Sequence, residues 1–443
     1  MKLKKLFKAS LVVLLILISF TGCFGTENDE SKMEEEEEEK PDYPYEDVRE
    51  FLTIDLKTNE TYNTSWAIFK RAQGGNGAEH YLATTHNGWI TNLGGEYPTW
   101  SQDRGLTWQQ FKPVTDPILG LGEGAIIEAP DGDILAMSWY PYSGDEFYAY
   151  FYDISAQDWR YMYNRLHAPF YDRPWIAVAP GPIEVFAQEF PWASIVTSNF
   201  WDQMVFSVDG LTYYPLEDPS AAAQDSFVMS FDITEGVKGE FDYLIPHREM
   251  WATPLPQGGL LIPRYFGDLN AYLDNSLTWH KHEMPSGTPI PAPHLVIDSS
   301  GALHSVERKG NSLIYHLSLD GGETWLSSEP FSWGNHSQLE EWEFKANGEH
   351  ELAVIYMRVE VTENGENVDK DLLFQIKNYR ESLEPDTLTM LGLGDVDATA
   401  GLGNDLRFDF ASLAILPDGG VIVAYQDSTD PDPLFALELE MEN

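Results

Sequence analysis

Short runs in which apolar and polar residues alternate recur along the chain, each broken by a turn with glycine. They read YLATTHNGWIT, IIEAPDGDILAMSW, WIAVAPGPIEVFAQ, WATPLPQGGLLIP, LVIDSSGALHSV, WEFKANGEHELAVIY and SLAILPDGGVIVAY. A period of two on either side of a glycine turn predicts a β-hairpin. The glycines are Gly88, Gly132, Gly181, Gly258, Gly301, Gly348 and Gly419, so the hairpins return about every 55 residues. No long helical period competes with them. The steps Gly181 to Gly258 and Gly348 to Gly419 are the long ones, which places insertions near residues 215–245 and 360–405.

A second pattern runs out of phase with the first. SQDRGLTW (Ser101, Asp103, Gly105, Trp108) and SLDGGETW (Ser318, Asp320, Gly322, Trp325) share the skeleton S-x-D-x-G-x-T-W. YLDNSLTW keeps Asp274 and Trp279, SVDGLTY keeps Ser207 and Asp209 and ends in Tyr213, and YDISAQDW is a poor copy ending in Trp159. The aromatic ends recur about every 54 residues. Two independent signals with one period predict a repeat of four short strands, the blade of a β-propeller. The expected fold is all-β: seven four-stranded antiparallel blades, or six if one hairpin is an insertion. Too little chain follows Gly419 for a full blade, so a strand at Val48–Leu56 is expected to complete the last one.

The chemistry of the repeated octapeptide is that of a turn. Ser and Asp side chains can satisfy backbone groups locally, and Gly supplies an angle that other residues resist. A Ca²⁺ loop or a catalytic loop is the less economical explanation. These residues resemble the Asp-box, or BNR, repeat of sialidases and other propellers, and YDRPWIAVAPG resembles a segment of exported Asp-box proteins. The resemblance covers most of residues 60–440 at the level of fold. It implies that the boxes lie between the outer strands of the blades, away from the channel where ligands bind. Catalytic sialidases carry an R-I-P arginine, two further carboxylate-binding arginines, a Tyr–Glu nucleophile pair and an Asp acid/base. This chain has no R-I-P; its early arginine, Arg71, stands in IFKRAQGG, and no Tyr–Glu pair can be assigned.

Composition narrows the function further. The chain has 443 residues, with 72 Asp and Glu against 27 Lys and Arg, a net charge of −45. The run Glu34–Glu39 supplies six of those charges, so the acidity belongs to the folded body. That excludes phosphate-backbone recognition, which needs clustered cations. Lys2, Lys4, Lys5 and Lys8 precede an apolar run, Leu11–Phe20, too short for an ordinary span. The run ends in SFTGC, and Cys23 is the sole cysteine. This resembles a lipobox, with Phe20 in place of the usual Leu, and implies lipidation of Cys23; an uncleaved anchor is the alternative. The expected order is a signal segment (1–22), an acidic stalk (23–47) that cannot bury a core, and the propeller (48–443). The body is placed on the outer face of the cytoplasmic membrane.

The candidate ligand residues are those that precede inner-strand patterns. They are Asp172 and Arg173 in YDRPW, and His247, Arg248 and Glu249 in PHREMW, with Arg308 as a further member. A guanidinium fork suits a carboxylate or paired hydroxyls; ion pairs that lock blades are the other use of the same residues. No cofactor is expected. Asp427, Asp430 and Asp432 in QDSTDPDP could offer oxygen ligands to Ca²⁺. The function expected is a tethered propeller binding a glycan or a surface protein at the channel mouth. A sialidase-like glycoside hydrolase and a scaffold for a membrane complex are the alternatives.

Overall fold

In the computed structural model, the described residues lie within 44–439. The longest interruptions are at 70–80, 111–123, 166–174, 217–252, 283–289 and 395–411. All regular structure among the described residues is β-strand. Five sheets have four strands each, in simple chain order: sheet I (81–110), sheet II (124–165), sheet III (175–216), sheet IV (253–282) and sheet V (294–332). A sixth sheet has nine strands. One half, VI, is the meander 337–394; the other, VII, is built from 412–438 and the hairpin 48–69.

The innermost strands are Tyr81–Thr84, Gly124–Glu128, Trp175–Val185, Thr253–Pro254, His294–Ile297, Ser337–Asn347 and Ser412–Ile415. Each contacts the next in this order, and the last returns to the first. The all-β arrangement therefore fits a β-propeller. Between each neighbouring pair of these units lies one apolar cluster. Between I and II it is aromatic, with Trp89 and Trp100 stacked at 4.8 Å and Trp159 4.4 Å from Tyr152. Burial on both faces explains why most inner strands read as continuous apolar runs.

Six of the seven glycines sit at or beside the turn from a first to a second strand. Gly181 does not. It lies inside the long strand Trp175–Val185, and the turn falls at Phe186 and Ala187, both with positive φ. A Cβ at Gly181 would meet the carbonyl oxygen of Pro191 at 2.4 Å. Its glycine therefore serves a close approach of two backbones, not a turn. The long step after Gly348 is taken up by two twelve-residue strands, Leu352–Glu363 and Glu366–Lys377.

The closing strand also differs from expectation. Thr61–Phe69 pairs with Leu434–Glu438 as the fourth strand of VII, and Val48–Asp55 adds outside it. The outer strand then pairs through Thr53–Asp55 with Thr387–Thr389 of VI, which joins the two halves at the rim. Burial decides the order. Trp66, Ala67 and Ile68 are buried, whereas Val48 and Leu52 stay exposed. At the joint, Thr53 is buried and its hydroxyl shares hydrogen bonds with those of Thr64 and Thr389, the latter at 2.9 Å.

Trp66→Ala should therefore cost roughly 3–5 kcal/mol, as for a buried large side chain. Leu52→Ser on the exposed side of the same hairpin should cost less than about 1 kcal/mol. Urea denaturation reads both; equal losses would mean that the hairpin is not packed with Trp66 inward.

Candidate functional site

The inner strands are sheet edges, so one side of each carries backbone groups without a sheet partner. Neighbouring side chains meet several of them. Leu82 N donates to Ser412 Oγ (2.8 Å), Leu413 N donates to Glu343 Oε2 (2.5 Å), Thr84 Oγ1 donates to the carbonyl of Ile415 (2.6 Å), and Thr253 Oγ1 donates to that of Leu295 (2.8 Å). The innermost strands of I, II, III, VI and VII line a cavity of about 270 Å³. Its aliphatic wall includes Leu82, Ala83, Ile126, Ile127 and Ile176, and its polar wall holds Glu343, Lys345 and Asn347 with Ser412. Glu343 and Ser412 are almost wholly buried. Lys345 Nζ stands 3.2 Å from Glu343 Oε1. Asn347 Oδ1 accepts the backbone N–H groups of Glu349 and His350 at 2.9 and 3.2 Å.

Antiparallel connection puts the first and third turns of every sheet on one side of the ring. The five copies of the repeated turn, four octapeptides and the shorter SVDGLTY, all fall at the third turn. In sheet I, Ser101 Oγ donates to Asp103 Oδ1 (2.8 Å) and accepts Gly105 N (2.8 Å), while Asp103 accepts Thr107 N (2.8 Å) and the Thr107 hydroxyl (2.5 Å). Sheet V repeats this with Ser318, Asp320, Gly322 and Thr324, at 2.6–2.9 Å. Gly105 must be glycine: its φ is +88°, and a Cβ would meet the Phe69 ring at 2.6 Å. Trp108 Nε1 donates to the carbonyl of Gly105 (3.1 Å), and its ring packs on Phe69 and Phe435. Trp325 and Trp279 hold the matching chain positions, ahead of Leu326–Ser332 and opening Trp279–His282. In the degenerate copies Asp209 accepts Leu211 N and Thr212 N, and Asp274 accepts Ser276 N and Thr278 N. In the two full copies the aspartate acceptors are met within the turn, whereas Asp274 Oδ2 also meets His280 Nε2 of the following strand (2.6 Å). The Thr324 hydroxyl and backbone N–H, with Ser318, pull the Asp320 carboxyl down to about 2. In Asp103, burial pushes the other way, but Thr107 and Ser101 outweigh it and the net shift is downward.

The same side carries contacts that stitch neighbouring units together. His86 N donates to Glu128 Oε2 (2.7 Å), Trp192 Nε1 to Asp131 Oδ2 (2.7 Å), Glu184 N to the carbonyl of Asn275 (2.9 Å), and His350 Nε2 to that of Pro417 (2.6 Å). Arg104 pairs with Asp418 across the joint between I and VII. Between V and VI the contact is a buried network. His304 bridges Asp298 Oδ2 (3.0 Å) and Tyr315 OH (2.8 Å), Tyr379 OH donates to the same carboxylate, and Ser300 Oγ donates to Asp298 Oδ1 (2.6 Å) while accepting Arg380 (2.6 Å). Burial lowers the affinity of His304 for a proton. Burial would raise the Asp298 carboxyl, yet its bonds to His304, Ser300 and Tyr379 hold it well below the usual range. A neutral His304 that donates Nε2–H to the carboxylate and accepts from Tyr315 satisfies all of these groups. This network is a joint between sheets V and VI.

Of the candidate ligand residues, Asp172, Arg173, His247, Arg248 and Glu249 lie outside the described residues, as do Asp427, Asp430 and Asp432 and Cys23. Arg308 is described. It is exposed and ends the second strand of sheet V, Leu303–Arg308, opposite Leu313, so it does not stand on an innermost strand. The charged pair at the cavity, Glu343 and Lys345, was not among the candidates. Its signal was present in WEFKAN, where an inner strand alternates polar residues although most of its counterparts are apolar on both faces. Among the described residues no cluster of His, Cys, Asp and Glu could hold a metal ion.

No family model matches the chain, and no curated protein matches it. Solved structures do. A protein of unknown function from Dyadobacter fermentans is 12% identical, with 89% of this chain and 99% of that one covered and a TM-score of 0.37. The phage phi92 endosialidase is 10% identical (86% and 71% covered, TM-score 0.38). The NanB sialidase of Streptococcus pneumoniae is 13% identical (89% and 69% covered, TM-score 0.31). Likeness at this level carries no residue role to this chain.

The depressed carboxyl of Asp320 ties the turn to pH. Its contribution is full above the unfolded value of about 4 and is lost as pH falls through about 2. Asp320→Asn should lower the Tm at pH 7 and flatten the fall in Tm between about pH 4 and 2. A Tm unaffected at either pH would leave the turn without a stabilising role.

Proposed function

We propose that the chain is a seven-bladed β-propeller with Asp-box turns, tethered outside the cytoplasmic membrane through lipid on Cys23, that binds a glycan or a surface protein at its central channel. One observation carries this reading: five of the innermost strands line a cavity of about 270 Å³ with a buried carboxylate and an ammonium on one wall. Pockets for small molecules run to about 300–1,000 Å³ and combine apolar walls with few polar groups. A space just below that range suits one small polar unit of a larger ligand. The box turns support a structural role for the opposite side of the chemistry, since their acceptors are consumed internally.

In the same reading, Arg173 and Arg248, with Asp172, His247 and Glu249, mark the chain entries to the innermost strands of sheets III and IV. Those entries belong to the side without box turns, where a ligand would meet the channel first. A second reading, sialidase-like hydrolysis, is favoured by the presence of Glu343 as a buried channel carboxylate, since glycoside hydrolysis is built on carboxyl groups.

A glycan array and a sialoside hydrolysis assay test the site. Lys345→Trp should fill the cavity and abolish binding, and Arg173→Ala and Arg248→Ala should weaken it, each in a protein that stays folded. Retained binding in a folded Lys345→Trp protein would remove the channel as the site. Sialoside turnover lost in Glu343→Gln would establish the hydrolase instead. For the tether, Cys23→Ser should release the body to the soluble fraction or block maturation; mass spectrometry that finds an unmodified Cys23 on a retained leader would refute lipidation.

A further inference from the structure

Resting on the channel-binding reading, we propose that the cavity selects an uncharged saccharide over an anionic one. The argument begins with one strand. Glu343, Lys345 and Asn347 alternate along Ser337–Asn347, and alternate residues of a strand share a face. They make a polar stripe about 13 Å long. The apolar residues between and around them, Trp342 and Phe344, are buried in the cluster against sheet V.

The stripe is polar but electrically balanced. Glu343 spends one oxygen on Leu413 N and faces Lys345 with the other. The negative and positive charges of the pair cancel, and the remaining groups are neutral. Asn347 uses its oxygen on the turn at Glu349 and His350, which leaves its NH₂ to donate. Ser412 accepts Leu82 N, which leaves its hydroxyl proton to donate. The lining also includes Ala83, Ile126, Ile127 and Ile176, whose side chains are hydrocarbon.

A pyranose matches this mixed lining. Its ring edge carries hydroxyls that both accept and donate, and its ring face carries C–H groups for the aliphatic wall. A carboxylate on the sugar would find Lys345 already matched and Glu343 close by. It would also have to approach a body with a net charge of −45. The unfavourable electrostatics act on the charge and leave the hydroxyls untouched, so the discrimination is between a neutral glycan and its acidic counterpart.

The experiment prints neutral glycans beside their sialylated counterparts and applies the full-length protein in detergent. The wild type should prefer the neutral member of each pair it binds. Asn347→Asp keeps acceptors for the turn but adds a negative charge in place of a donor; it should weaken neutral binding about tenfold or more. Glu343→Gln keeps an acceptor for Leu413 N and removes the negative charge beside Lys345, so preference should move toward the sialylated member. A wild type that prefers sialylated members, and loses them on Lys345→Met, overturns the selectivity while the channel site stands. No binding to any pair, or binding indifferent to all three substitutions, overturns the selectivity and the channel site together.

Discussion

A strand at the edge of a sheet has backbone groups with nowhere to go, and in this chain seven such edges face one another. Edges of this kind invite pairing with any passing strand. Here they are met from the neighbouring unit: Ser412 takes Leu82 N, Glu343 takes Leu413 N, and Thr84 and Thr253 donate to the carbonyls of Ile415 and Leu295. The polar residues near the axis are thus required by the ring before any ligand is considered. Each unit also needs its neighbour to bury an apolar face, and the clusters between sheets show that every one finds it. Glu343 belongs to both demands. It closes a backbone donor, and by doing so it places a charge on the channel wall with Lys345 as counter-charge.

Closing the ring from two ends of the chain follows from the same constraint. The strands after Ser412 number three, and a fourth is needed to cover Leu434–Glu438. Two strands near the start could serve. The alternation in VREFLTID puts Val48, Glu50 and Leu52 on one side, where they remain in solvent, while TSWAIF presents Trp66, Ala67 and Ile68 to the interior. The more apolar strand goes inside, and the other seals the rim by pairing through Thr53–Asp55 with sheet VI.

The period, the hairpins and the all-β class were legible because they rest on local alternation and turn residues. The choice between Val48–Leu56 and Thr61–Phe69 was not, since both alternate and only burial in the assembled ring separates them. Gly181 misled for a similar reason: a glycine inside an apolar run marks either a turn or a close backbone contact, and the carbonyl of Pro191 is visible only in three dimensions. The site was harder. Arginines stand out in an acidic chain, yet Arg308 ends a second strand. Glu343 and Lys345 were two charges among many until the inner position of their strand gave their alternation a meaning.

The repeated turns show which part of a motif is physical necessity. The third-turn copies lose Ser, Gly or Trp in one sheet or another, but each has an aspartate that accepts a backbone N–H of the turn: Asp103, Asp209, Asp274 and Asp320 at the same place, and Asp153 one place earlier. Where glycine is missing, another residue takes the positive φ, Leu277 in sheet IV and Gln157 in sheet II, at the cost that L-residues bear there. The acceptor is therefore the more constant feature of the turn. A turn whose needs are met internally holds its blade without help from a ligand. It leaves the other side of the ring, where the chain enters each inner strand, free to differ from one blade to the next. That division of labour is why a strong repeat speaks to the architecture of this chain and is silent on what it binds, and why the irregular polar stripe of one inner strand is the more informative feature for function.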